Sequence, residues 1–175
     1  MRVEPTSIDG VFTVELERHG DERGFFARTY CEAEFRAAGL EPAVVQGNLS
    51  FSREKGTLRG MHYQVEPAPE TKLVRCTRGA ILDVVVDLRE GSPTYLEHVA
   101  VRLDAENRTA LYVPRRFAHG FLTLEDDTEV NYLVSAPYTP EAERGLRHDD
   151  PRLGIDWPIP VAVVSPKDAS WPLLD

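Results

Sequence analysis

Residues 56–64, Gly56-Thr57-Leu58-Arg59-Gly60-Met61-His62-Tyr63-Gln64, place a guanidinium, an imidazole, a phenol and an amide in one short extended run. A strand built only for packing seldom carries so much polarity. His62 is the member of the run that can gain or lose a proton near neutral pH. The plainer reading is a half-exposed strand with His62 as a satisfied rim histidine. Arg59 and His62 are three positions apart, so a flat strand would put them on opposite faces. If both serve one site, Gly60 must mark a bulge or sharp bend.

The other candidates for acid–base chemistry are His119, Lys72, Tyr132 and several acids. On a regular strand Tyr132 shares a face with Val130 and Val134, so its hydroxyl points to an apolar side and must find a partner there. Taken singly, Tyr132 reads as a core tyrosine bonded to backbone, Lys72 as a solvated lysine and His119 as a rim histidine. Asp83, flanked by apolar residues, needs a partner or water. Other chemistries have weaker support. No two of the histidines His19, His62, His98, His119 and His148 lie at His-x-His spacing, so no catalytic metal is expected. No glycine-rich loop opens a helix to hold phosphate, and no serine sits in a nucleophile elbow. Cys76 lies in an apparent strand with no activating base, as a core residue would.

The chain of 175 residues is long enough to bury a core as one domain, and its 42% hydrophobic and 28% charged residues are those of an ordered protein. A formal charge of −9 argues against a nucleic-acid partner, which needs a basic surface. No apolar run has the length of a membrane span and the N-terminus has no apolar signal core, so a cytoplasmic protein with free Cys31 and Cys76 is expected.

The elements that must position these residues are mostly strands. Residues 8–18 alternate apolar and polar, and 19–24 read as a turn with Gly20 and Gly24 available for positive φ. Residues 32–39 read as a short helix ending at Gly39. Strands are predicted over 44–50, the central run, 72–78, 80–88, 98–103, 111–114, 120–124 and 128–134, with a Pro-rich loop over 65–71. In 80–88, Leu82, Val84, Val86 and Leu88 share one face, and Ile81, Asp83, Val85 and Asp87 the other. The proline-rich segment from Pro137 wraps the strands as loops and short helical turns. Short strands separated by Gly, Pro and Asp turns define an all-β sandwich or barrel.

Several of these stretches, in order, resemble one family. They include Asp21-Glu22-Arg23-Gly24-Phe25-Phe26, Gln46-Gly47-Asn48-Leu49-Ser50, Leu58-Arg59-Gly60-Met61-His62-Tyr63-Gln64, Lys72-Leu73-Val74-Arg75, Asp83 through Thr94, Phe117-Ala118-His119-Gly120-Phe121, Tyr138 with Glu143-Arg144-Gly145, and Ser165-Pro166-Lys167-Asp168. Nearly the whole chain is similar to the dTDP-4-dehydrorhamnose 3,5-epimerases. The resemblance implies an all-β, cupin-like β-barrel (jelly roll) over residues 1–175 with a few short peripheral helices. It also implies a homodimer whose N-terminal segment crosses to the partner.

The implied reaction inverts carbons beside the C4 ketone of a nucleotide-linked 4-keto-6-deoxy sugar, either both C3 and C5 or, in relatives, only one of them. By resemblance His62 is the base, Asp168 its carboxylate partner, Tyr132 the acid on the opposite face and Lys72 the group that steadies the enolate oxygen. Asp83 is an alternative partner for His62. No metal or redox cofactor is required. Arg23, Arg59 and Lys167 match diphosphate-holding positions. Gln46, Asn48, His119, Tyr138 and Glu143 match polar substrate positions, and Phe26 an aromatic near the base. Two positions depart from the family. Arg28 stands where a glutamate is usual, reversing a charge in the substrate-binding set, and His148 stands where a tryptophan is usual.

Overall fold

The computed structural model describes residues 1–174. In chain order its elements are β1 (Arg2–Pro5), β2 (Phe12–Glu15), β3 (His19–Asp21), β4 (Gly24–Phe26), α1 (Glu32–Ala37), β5 (Gln46–Ser52), β6 (Thr57–Gln64), β7 (Lys72–Arg78) and β8 (Ala80–Asp87). Then follow β9 (His98–Asp104), β10 (Ala110–Val113), β11 (Phe117–Thr123), β12 (Thr128–Val134), β13 (Glu143–Gly145), β14 (Val163–Val164) and α2 (Pro166–Ala169).

Two sheets face each other. One runs β1-β2-β10-β7-β12-β5, and the other β13-β6-β11-β8-β9, with β14 added in parallel to β6. The layer between them is built from alternate residues of both. Val74, Cys76, Leu111, Val113 and Val130 come from the first sheet, and Ile81, Val85, Leu103, Phe117 and Phe121 from the second. The alternation read in residues 80–88 has a consequence on each side. Ile81 and Val85 enter this layer, while Val84 and Val86 pack on the opposite face against Leu146 and Leu153 of the C-terminal segment. The outer face of the first sheet is covered by α1, whose Phe35 packs on Val14, Leu73 and Tyr112. The helix stops where Gly39 takes φ +75°, its amide bonding Arg36 O and the Leu40 amide bonding Phe35 O.

The closed cupin-like barrel implied by the resemblance is not formed. The chain is a mixed α/β arrangement of open, mostly antiparallel sheets, with β1 and β5 as the edges of one and β13 and β9 as the edges of the other. Period-two alternation assigns residues to the two faces of a strand, and in β8 both faces are buried. Closure depends on hydrogen bonds between edge strands, which alternation does not encode. Nor are the helices all peripheral, because α2 carries the buried Asp168.

Smaller differences have local causes. Residues 19–26 form a hairpin rather than a plain turn, with Gly24 at φ +127° and Asp21 accepting from the Arg23 amide at 2.9 Å. Arg116, at φ +67°, turns the chain early enough for β11 to begin at Phe117 and include His119.

Asp87 closes one end of the interior. It is fully buried and accepts from the Arg89 amide and Nε at 2.9 Å, from Arg89 Nη2 at 2.8 Å, and from the hydroxyls of Ser92 at 2.7 Å and Thr94 at 2.8 Å. Burial pushes this carboxyl up, but Arg89 and the two hydroxyls outweigh it and hold the group well below the ordinary carboxylate range. A carboxyl depressed on folding stabilises the fold above its unfolded pKa of about 3.9 and loses that contribution as pH falls below it. Denaturant midpoints are therefore expected to fall between pH 5 and pH 3. Asp87→Asn should be about 2 kcal/mol less stable at pH 7 and should show a shallower loss across that window.

Candidate active site

The central run is strand β6, and its bulge brings Arg59 and His62 together. Opposite it on β11, His119 pairs with His62 and Phe121 with Arg59, so three steps on β6 match two on β11. The extra residue is accommodated at Gly60, which has φ +144°. A Cβ there would lie 2.5 Å from Gly120 Cα, so only glycine fits. The Gly60–Met61 peptide is cis. With three residues of β6 set against two of β11, Arg59 and His62 both line a cleft of about 610 Å³ with Lys72, His119, Phe121, Tyr132, Lys167 and Asp168. A second cleft of about 360 Å³ adjoins it. His62, Lys72 and Tyr132 line both, and the second also holds Gln46, Asn48, Glu70, Tyr138 and Glu143.

His62 Nε2 lies 2.7 Å from Asp168 Oδ1, and Asp168 Oδ2 accepts from the bulge amide of Gly60 at 3.4 Å. Ser165 caps α2 by accepting from the Asp168 amide at 3.0 Å. Burial pushes the Asp168 carboxyl up, but His62, the Gly60 amide and the Ser165 hydroxyl outweigh it and hold it below the ordinary range. An ionised carboxylate can only accept, so the shared proton belongs to His62 Nε2, and the neutral imidazole carries its lone pair on Nδ1. That is a base with a fixed tautomer and a nearby anion to support its charge after protonation.

Tyr132 comes from the facing sheet, on β12 beside Val74 and Asn48. Burial first, then the Glu70 carboxylate, raise its phenol above the ordinary value against the opposing pull of Arg59, so it stays protonated well into alkaline solution. His62 and Tyr132 thus reach one cleft from opposite sheets, a base and an acid on two sides of whatever lies between. Lys72 opens β7, donating to the His62 carbonyl at 3.2 Å with Glu70 Oε1 at 3.2 Å. His119 bonds Asp83 through Nε2 at 2.7 Å. Asp83 therefore serves His119 and not His62, because β8 is the neighbour of β11 and not of β6.

The polar positions around the second cleft also interact with one another. Gln46 donates to Asn48 at 2.9 Å, and the Tyr138 hydroxyl donates to Glu143 at 2.7 Å. Lys167 forms an ion pair with Glu143 that raises the lysine and, with Tyr138, lowers the glutamate against its burial. Arg59 is held by Ser52 Oγ at 3.2 Å and by Phe51 O at 3.0 Å.

Three of the expected binding residues are not in the cleft of their own chain. Arg23 and Phe26 stand on the β3–β4 hairpin, Arg23 paired with Asp21 and Phe26 71% exposed. Arg28 is exposed and paired with Glu34 at 2.8 Å. Glu70 was not anticipated. Its two-residue spacing from Lys72 is the signal for a shared face, hidden because 65–71 reads as a loop. Cys76 lies in the core, where burial pushes its thiol up to about 11. Among the described residues, no group of three or more His, Cys, Asp or Glu side chains is arranged to hold a metal ion. No helix among the described residues is long and apolar enough to cross a membrane.

An imidazole held by a carboxylate and a protonated phenol facing each other across a cleft that also holds Arg59, Lys72 and Lys167 can carry out acid–base chemistry, and comparison with known proteins narrows the class. The model of the dTDP-4-dehydrorhamnose 3,5-epimerase family matches residues 5–175. A dTDP-4-dehydrorhamnose 3,5-epimerase of Sinorhizobium fredii is 47% identical over 99% of this chain and 90% of its own length. A Bacillus anthracis enzyme of the same name, solved with TDP and PPi bound, superposes with a TM-score of 0.95 at 40% identity over 99% of both chains. A Legionella pneumophila epimerase in complex with dTDP-4-keto-L-rhamnose superposes at 0.92 and 40% identity over 98% of this chain and 92% of its own. The chain belongs to the dTDP-4-dehydrorhamnose 3,5-epimerase family. It is an isomerase acting on nucleotide-linked sugars.

Proposed function

We propose that the cleft converts dTDP-4-keto-6-deoxy-D-glucose to dTDP-4-keto-L-rhamnose by inverting C3 and C5 in turn. The observation that carries this reading is the approach of His62 and Tyr132 to one cleft from opposite sheets. His62 Nδ1 takes the proton from the carbon beside the ketone, and the C–H electron pair moves into the ring to give an enolate at O4. Lys72 stabilises that oxygen with an ammonium already in place, so the charge develops against a preorganised donor. The Tyr132 phenol then delivers its proton to the other face of the carbon, and the electron pair returns from O4. Solvent re-protonates the phenolate and takes the proton from His62, which balances the cycle at each carbon. His119, held by Asp83, stands beside the sugar.

Arg59 and Lys167 bind the diphosphate, and Gln46, Asn48, Tyr138 and Glu143 supply the neutral and acidic contacts of the second cleft. Arg23, Phe26 and Arg28 serve the cleft of a second copy, in a homodimer that shares its N-terminal segment. Their exposed positions support this, as do the exposed apolar residues Val45, Leu49 and Phe51 on and beside edge strand β5. Residues 1–175 act as one domain in the cytoplasm, with no nucleic-acid partner.

The test is product analysis. The sugar is reduced with borohydride after incubation and its configuration is read by NMR. L-rhamnose and its C4 epimer are expected beside the sugars from unreacted substrate, whereas recovery of 6-deoxyhexoses with D configuration at C5 alone would contradict double inversion. The dimer has its own test. Arg23→Ala and His62→Ala, each impaired alone, are expected to regain part of the activity when mixed, because one hybrid site then holds both native residues.

A further inference from the structure

Asp168 stands on a helix of four residues close to the end of the described chain. A helix this short has little stability of its own. Its carboxylate must nonetheless be held against His62 to a fraction of an ångström if the base is to keep one tautomer and one orientation. Strand β13 is what both partners share. Its Gly145 is the register partner of His62 on β6, so the strand is fixed directly beside the base. The same strand holds α2 and the residues after it by two contacts. Ahead of Asp168, Lys167 pairs with Glu143. Beyond it, the Trp171 indole occupies the space a side chain at position 145 would need. A Cβ on Gly145 would lie 2.2 Å from Trp171 Cε2 and 2.3 Å from Nε1.

The two contacts differ once substrate is bound. Lys167 is one of the cations assigned to the diphosphate, and engaging that anion draws it from Glu143. The indole contact carries no charge and lines neither cleft, so the ligand does not compete for it. The Leu174 amide, bonded to Asp150 Oδ2 at 2.6 Å, ties the chain down further on.

We propose that Gly145 and Trp171 form a positioning latch that keeps Asp168 on His62 through the catalytic cycle. The inference rests on the reading of His62 and Asp168 as the base and its partner. Gly145 contributes by having no side chain, and Trp171 by filling the space this leaves. Neither touches the sugar, and both act through Asp168.

Steady-state kinetics on the full chain test this as a set of mutant cycles. Trp171→Ala is expected to lower kcat about 10-fold with KM and Tm nearly unchanged, since displacements of about 1 Å carry losses of that order or more. Trp171→Phe should recover most of the loss. Gly145→Ala should cost a similar factor alone but less than about twofold when combined with Trp171→Ala, because the methyl group then enters vacated space. In an Asp168→Asn background, Trp171→Ala should cost less than about twofold. If Gly145→Ala does not fold, the Trp171 and Asp168 variants carry the test. A wild-type kcat in Trp171→Ala, or a loss that multiplies with that of Asp168→Asn, would overturn the latch alone. A wild-type kcat in Asp168→Asn would overturn the reading of the dyad and the latch with it.

Discussion

His62→Ala is expected to lower kcat about 10³-fold with little change in KM, a loss within the range for removing a general base. Position matters here as much as residue type. His62 lines both clefts and its tautomer is set by a carboxylate, with Asp168 Oδ1 at 2.7 Å from Nε2. Its lone pair therefore needs no rearrangement before proton transfer. Lys72 donates to the His62 carbonyl, and Arg59 donates to Ser52 Oγ and Phe51 O, so neither is placed to replace it. His119 is tied to Asp83 across the sheet, with its partner taken from β8 rather than α2. Tyr132→Phe keeps the ring and loses only the hydroxyl, so the fold and KM should be retained. Inversion should slow by a factor of about 10² or more, because the face opposite His62 then lacks its donor. Burial holds the phenol above its ordinary value, so wild-type activity should not fall on the alkaline side until well past neutrality.

The second large effect is on stability. Gly60→Ala is expected to cost on the order of 4 kcal/mol, at the high end for a single substitution. Two penalties combine at this position. The φ of +144° is one that an L side chain rarely adopts, and the added carbon would meet Gly120 Cα at 2.5 Å, with His119 O at 3.2 Å. Both obstacles are backbone atoms, so no rotamer change relieves them. The bulge also sets the direction of Arg59 and His62 and supplies the amide that bonds Asp168. Any Gly60→Ala protein that does fold should therefore have lost most of its turnover as well. Denaturant unfolding with kinetics on the folded fraction separates the two losses. A midpoint and kcat near wild type would show that the strand absorbs the extra carbon and that the bulge is not what aims the site.

Much of the site could be read from residue types and strand periodicity. If Arg59 and His62 were to serve one site, their three-residue separation called for a bulge or bend at Gly60, and the register of β6 on β11 has a bulge there. Tyr132 between Val130 and Val134 required an inward phenol, and it lines both clefts. What could not be read was long-range pairing. Which histidine Asp83 serves depends on the order of strands in the sheet, and that order is not a local property. The same limit explains the expected barrel. Alternation shows that a strand has a dry face but not whether the last strand meets the first. Glu70 and Trp171 were missed for a related reason, since each lies in a segment without periodicity and takes its meaning from a residue distant in sequence.

The proposed mechanism places a base on one face of the sugar and an acid on the other. The most direct test is proton NMR of dTDP-4-keto-6-deoxy-D-glucose in deuterium oxide with the wild-type enzyme, His62→Ala and Tyr132→Phe. With wild type, the C3 and C5 protons should both be replaced by deuterium as inversion proceeds. With His62→Ala neither should exchange above the rate without enzyme. With Tyr132→Phe exchange should outpace inversion, returning deuterated substrate of unchanged configuration. Undiminished exchange at both carbons with His62→Ala would contradict the assignment of the base, and with it the mechanism.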